Sequence, residues 1–142
     1  MGQYCTQQDL VEAFGELEII QISDRARPPT KQIDSAVVDK AITDAESEIN
    51  MYLEGRGLLP LKSVPVTLRR IACDMSRFYL YQNPKSDSPV AVIYARRVKQ
   101  LEGVASGKLS LGLDKAGEVM EPEDTVMFHG GRNMFKREDG LW

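Results

Sequence analysis

The chain has 142 residues, about the size of one ordinary domain, with 42% apolar residues and a formal net charge of -3. This composition supports a real hydrophobic core and excludes disorder over the whole chain, which needs low hydrophobicity with high net charge. The weakly acidic balance argues against a dedicated nucleic-acid binder with a basic face, and no apolar run approaches the ~20 residues that span a bilayer.

The opening residues Met1-Gly2-Gln3-Tyr4-Cys5 lack the charged and apolar regions of a signal peptide, so a soluble protein made in the cytosol is expected. Thr6 can cap a helix, and Asp9, three residues on, completes a capping box. Leu10, Val11 and Phe14 supply one apolar face, and Gly15 ends or bends the helix. A second short helix is expected over 16–22, with Leu17, Ile19 and Ile20 apolar. Residues 23–32 read as a loop, because Pro28 and Pro29 forbid a continuous helix.

Asp34 opens the clearest element. Val38, Ala41, Ile42, Ala45, Ile49, Tyr52 and Leu53 keep the 3–4 spacing of one helical face. A helix of about 20 residues, roughly 30 Å long, is expected, ended by Gly55 and Gly57. Asp39, Lys40, Thr43, Asp44, Ser47 and Asn50 fall on its other side, and the carboxylates Asp39, Asp44, Glu46 and Glu48 read as a solvated face.

Leu58-Leu59-Pro60-Leu61 forms an apolar connector, and Pro65 is placed in the first turn of the next helix. Leu68, Ile71, Ala72, Met75 and Tyr79 line one face; Phe78 and Leu80 widen it, so this helix should lie centrally, before Asn83-Pro84 ends it. Ser88-Pro89 is a cap followed by a first-turn proline. Val90, Ile93, Tyr94, Val98, Leu101, Val104 and Ala105 form the last stripe, and Gly107 terminates it.

Residues 108–111 alternate like a short strand. Beyond them, Gly and charge surround the isolated Met127, Phe128, Met134, Phe135, Leu141 and Trp142. Such a tail cannot build its own core; it packs on its parent domain or orders on docking to a neighbour. The fold expected is therefore all-α: a compact helical bundle over 1–107, then an extended C-terminal docking segment over 108–142 with a short strand or hairpin. Phe128, Phe135 and Trp142 are the preferred anchors, since aromatics dominate interface energetics.

Little in the chain suggests catalysis. His129, the one histidine, lies in the Gly-flanked tail, and Ser106 and Ser110 have no histidine partner near them. There is no Walker loop, and Gly130-Gly131 is too short to cradle a phosphate. Cys5 and Cys73 are far apart in sequence and read as two reduced thiols, with no disulfide framework and no metal site. No catalytic residue, cofactor or metal ligand is expected. Arg69-Arg70, Arg77 and Arg96-Arg97-Lys99 are the basic clusters; their helical positions scatter them, and surface or ion-paired arginines are the plain reading. Arg97 stands out because it falls inside the apolar stripe of its helix. A charge there must snorkel to the edge, meet a carboxylate or face another subunit, and an interface position is expected.

Several segments together resemble a known family. They are Tyr4-x-Thr6-x-x-Asp9-Leu10, residues 34–38, 44–49 and 52–56, Leu59-Pro60-Leu61, Val64-Pro65-x-x-Leu68-Arg69-Arg70-Ile71-Ala72-Cys73-Asp74-Met75-Ser76-Arg77, residues 107–111, and Arg132-x-x-Phe135-Lys136-Arg137. In order and spacing they are similar to the Mu-like phage head–tail joining proteins over nearly the whole chain. Gly57-Leu58 departs from the family pattern, which more often has an aromatic residue after the arginine. The resemblance implies an adaptor, or head-completion protein, of a tailed phage or prophage. It would form a homo-oligomeric ring, a dodecamer in the virion, under the portal protein. It would extend the DNA channel without sequence-specific binding and offer a surface to a tail-side connector or terminator protein. On this basis Arg97, Phe128, Arg132, Phe135, Arg137 and Trp142 are the expected interface residues and the head–tail joint of the virion the expected location. The alternative is a small helical DNA-binding regulator, with the Arg69–Arg77 helix as its recognition helix.

Overall fold

The computed structural model describes residues 2–111. Five helices run in chain order: α1 (Gln7–Phe14), α2 (Glu16–Ser23), α3 (Ser35–Gly55), α4 (Val66–Tyr81) and α5 (Pro89–Ser106). The fold is an all-α bundle, as the periodicity predicts. Residues 112–142 lie outside the described residues, and with them Phe128, His129, Arg132, Phe135, Arg137 and Trp142.

The helix ends follow local chemistry. Thr6 Oγ1 accepts from the Asp9 amide at 3.2 Å, and Asp9 Oδ2 accepts from the Thr6 amide at 2.9 Å, closing the capping box of α1. Gly15, at φ 93°, both ends α1 and begins α2, a positive φ that side-chain-bearing residues adopt only with strain. Asp34 accepts from the Ala36 and Val37 amides to start α3. The Ser23 hydroxyl, fully buried, accepts from the Asp34 amide at 3.1 Å and closes the intervening loop. Pro65 sits at the N-cap of α4, just outside the first turn, and Ser88 caps α5 ahead of Pro89. Gly107, left-handed at φ 86°, ends α5.

Helix α4 is the centre of the bundle and touches each of the other four helices. Its Leu68, Ile71, Ala72 and Met75 interlock with Val38, Ile42, Ala45, Ile49 and Leu53 of α3 in one continuous core. Leu10 of α1 and Ile19 of α2 close one side; Leu101 and Val104 of α5 close another. Fully burying a side chain of this size contributes about 1.5–3 kcal/mol, so the α3–α4 seam dominates stability. Along α5 only Val90, Leu101 and Val104 are buried; Ile93, Tyr94 and Val98 stay partly exposed, which makes it the outer helix.

Two expectations need correction. Residues 108–111 form no strand: the Leu109 amide donates to the Gly103 carbonyl at 3.0 Å, and its side chain folds onto Gly103, where a Cβ would come within 2.6 Å of Leu109 Cδ1. The missing side chain at Gly103 gives Leu109 its seat, so the segment turns back on α5. The carboxylates of α3 are also not simply a solvated face. Glu46 and Glu48 flank the apolar stripe closely enough to accept hydrogen bonds from other parts of the chain.

No helix among the described residues is long and apolar enough to cross a membrane.

Candidate functional site

An open cleft of about 430 Å³ lies between α1, α4 and α5. Phe14 and Glu12 form its α1 side, and Val66, Arg69, Arg70 and Cys73 its α4 side. Val66, Arg69, Arg70 and Glu12 are exposed. The lining is mostly charged, with Asp9 and Glu12 alongside Arg69 and Arg70, and Phe14 and Cys73 are its less exposed apolar members.

The cleft is bounded by Arg97, the charge that falls inside the apolar stripe of α5. Arg97 Nε donates to Asp74 Oδ2 at 2.6 Å, and Arg97 Nη1 donates to Gln100 Oε1 at 2.8 Å. The two side chains of the ion pair are 21% and 15% exposed. Of the three fates open to a charge in an apolar stripe, Arg97 thus meets a carboxylate of its own chain, at the edge of an accessible cleft. Arg77, on the next turn of α4 but pointing elsewhere, donates from Nε to Glu18 Oε2 at 2.6 Å and lies 4.6 Å from the Phe14 ring centroid. It ties α4 to α1 and α2.

Tyrosine–carboxylate contacts went unread in the sequence. Glu48 accepts from Tyr79 Oη at 2.7 Å and from Tyr94 Oη at 2.9 and 3.0 Å, joining α3, α4 and α5 at one carboxylate. Phe78 stacks on Tyr94 with centroids 3.8 Å apart. Burial, reinforced by hydrogen bonding to Glu48, pushes the Tyr94 phenol up to about 12 and raises Tyr79 as well. Phenols held protonated this far above neutrality are poor general bases; the cluster is a clamp. The only hint in the sequence is a glutamate one residue off the stripe, opposite two stripe tyrosines of other helices, and no helical period links such groups.

The N-terminal hook is a second such feature. Glu46 Oε2 accepts from the Tyr4 and Cys5 amides at 2.6 and 3.3 Å, and Tyr4 Oη donates to Asn50 Oδ1. Gly2 fits only as glycine, because a Cβ there would lie 1.8 Å from the Cys5 carbonyl oxygen and 2.6 Å from Ile42 Cγ2. The hook brings Cys5 to Cys73, with 3.2 Å between the sulfurs. Separation in sequence made the two look unrelated; the fold makes them neighbours. The hydrogen bond to Cys73 and burial push the Cys5 thiol well up. Among the described residues no cluster of three or more His, Cys, Asp or Glu side chains could hold a metal ion.

Of the expected interface residues the structure therefore positions Arg97; Phe128, Arg132, Phe135, Arg137 and Trp142 belong to the segment beyond Leu111.

The sequence profile of the family described as "Bacteriophage Mu, Gp36" matches residues 4–129. The "Mu-like prophage FluMu protein gp36" of Haemophilus influenzae (strain ATCC 51907 / DSM 11121 / KW20 / Rd) is 34% identical over 137 residues, covering 96% of this chain and 95% of that protein. "Gene product J" of Escherichia phage Mu is 31% identical over 136 residues, covering 95% of each.

Proposed function

The chain belongs to the bacteriophage Mu Gp36 family, and on that premise we propose that it is a head-completion adaptor of a Mu-like phage or prophage, acting by docking and not by catalysis. In this reading copies of the chain assemble as a ring beneath the portal, dodecameric in the virion. The ring prolongs the DNA channel without reading sequence and presents a face to a tail-side connector or terminator protein. The protein resides at the head–tail joint.

The observation that carries the proposal is the end-to-end match to Mu-like phage proteins, which spans the bundle and reaches into the segment beyond it. The fold supports it in one respect. Glu18, Glu48 and Asp74 tie helices together, and an open cleft of mixed charge remains accessible on the α1–α4–α5 side. Arg69 and Arg70 share their cleft with Asp9 and Glu12, and Arg77 and Arg97 are engaged by Glu18 and Asp74, so the α4 and α5 arginines do not make the uninterrupted basic face that a DNA-binding regulator needs.

Mass measurement of the full-length protein in solution, alone and with a portal protein, tests the proposal. An adaptor yields a ring-sized or portal-bound species with Arg132, Phe135, Arg137 and Trp142 protected from modification in the complex. A strict monomer that ignores the portal and shifts duplex DNA in a salt-dependent gel assay would overturn it in favour of the regulator.

A further inference from the structure

We infer that Cys5 and Cys73 form a modification site: a dithiol that closes to an intramolecular disulfide when the protein meets a glutathione-type disulfide, stapling the N-terminal hook to α4 beneath the cleft. Nothing in the adaptor proposal requires this, and it stands without it.

The sulfurs are 3.2 Å apart, about 1.2 Å beyond a disulfide bond, so closure needs only a small shift. Both backbones are already fixed. Glu46 holds the Cys5 amide, the Thr6 capping box begins α1 immediately after it, and Cys73 lies inside α4. Two thiols held in this way react as an intramolecular pair, with the effective concentration that fixed geometry confers. They are also the two cysteines of the whole chain, so neither has a competing partner within it.

Access is one-sided, and that sets the order of events. Cys73 contributes to the cleft wall and is 5% exposed, whereas Cys5 is 1% exposed behind it. A small disulfide entering the cleft is attacked by the Cys73 sulfur. Its S–S bond breaks, a Cys73–glutathione mixed disulfide forms, and one glutathione leaves with a proton. Burial holds the Cys5 thiol protonated, so the second step is the slow one: as Cys5 Sγ attacks Cys73 Sγ its proton passes to the departing glutathione and the mixed disulfide breaks. The dithiol is oxidised by two electrons, and the glutathione disulfide is reduced by two. In a reducing cytosol the pair stays open; outside the cell it closes. The staple joins the segment leading into α1 to α4, which form opposite walls of the cleft, so closure restrains how far those walls separate.

The test uses the reduced full-length protein in glutathione buffers of increasing oxidised fraction. Closure predicts an intact mass lower by two hydrogens, loss of both thiols to Ellman's reagent in denaturant, and a monomer on a non-reducing gel. The apparent Tm should rise by several degrees, reversed by dithiothreitol, because the staple closes a loop between residues 68 positions apart. Cys5→Ser should instead stop at the glutathione adduct on Cys73. Two thiols still titratable in glutathione disulfide, a persistent wild-type adduct, or covalent dimers would each overturn the inference.

Discussion

Replacing Arg97 by Met keeps the aliphatic stem in the α5 stripe and removes the guanidinium. Asp74 then loses its 2.6 Å partner while only 15% exposed. An exposed pair contributes ~0–1 kcal/mol, and breaking a fully buried one by deleting a partner costs ~3–5 kcal/mol. A pair at 21% and 15% exposure lies between these limits, so a loss of about 2 kcal/mol is expected. Unfolding entropy of about 2.1 cal/mol/K per residue over a bundle of this size converts that to a Tm fall of roughly 8 °C. Asp74→Asn should lose less, because Arg97 can still bond Gln100 and reach water. Thermal and urea unfolding of Arg97→Met, Asp74→Asn and the double variant form a cycle whose coupling should exceed ~1 kcal/mol. A Tm unchanged in Arg97→Met, with no coupling, would falsify the stabilising role. If that variant nonetheless failed to bind its partner, Arg97 would act at the interface alone.

Three further outcomes follow from the other contacts. An unfolded tyrosine loses its proton near pH ~10, whereas folded Tyr94 holds it to about 12. Stability from the Glu48 contact is therefore complete below pH ~10 and drains away as pH rises through the folded value. Melting temperature against pH should show this decline, and Tyr94→Phe should reduce it while the share from Tyr79 persists; a wild-type phenolate absorbance rising entirely near pH ~10 would contradict the clamp. Gly103→Ala gains up to ~1 kcal/mol of helix propensity but takes the space that Leu109 Cδ1 occupies. Overall stability should move little while the Leu109 amide loses hydrogen-exchange protection, and retained protection would refute the seat assigned to Leu109. Gly2→Ala should dislodge the hook, since a Cβ there meets backbone; Cys5 should then react with Ellman's reagent in native protein much faster than in wild type, and an unchanged rate would show that the hook tolerates it.

The helices were legible because burial within one helix repeats every 3–4 residues. Of the stripe read along α3, Val38, Ala41, Ile42, Ala45, Ile49 and Leu53 are all buried, while Tyr52 stays partly exposed. Caps were legible too, since Thr6, Asp34 and Ser88 act on amides two or three residues away. Contacts between distant segments were not. Glu48 is one residue off the stripe, as a solvated residue could equally be, and only the approach of α4 and α5 gives it two phenols. Cys5 meets Cys73 because Glu46 and Asn50 fold the hook over α3, a bend that no local pattern announces. The short strand failed for a related reason: among the described residues the alternation at 108–111 has no partner edge, whereas the bare Cα of Gly103 offers Leu109 an immediate surface. For the candidate site, Arg97 was legible as a charge out of place, but the cleft beside it depends on α1, which the α5 pattern cannot report.

These contacts differ in how they can be coupled to docking. The Glu48 clamp joins three helices, so drawing it apart would loosen the bundle as a whole. The Glu46 contacts hold the hook, and Glu18 holds Arg77 against α1 and α2. Asp74 and Arg97 bridge α4 and α5 at the rim of the cleft, and the surrounding core of Leu68, Ile71, Leu101 and Val104 does not depend on their charges. A partner carboxylate entering the cleft could exchange for Asp74 on Arg97, or a partner cation for Arg97 on Asp74, while the other clamps persist. Each exchange makes one charge-assisted hydrogen bond but strands the displaced Asp74 or Arg97 side chain, so it is favourable only where the partner pairs that charge as well, which makes it geometrically selective. If a partner docks in this way, the same substitution at Arg97 should lower the stability of the free protein by about 2 kcal/mol and also raise the partner off-rate, and measuring both on one variant separates the two roles.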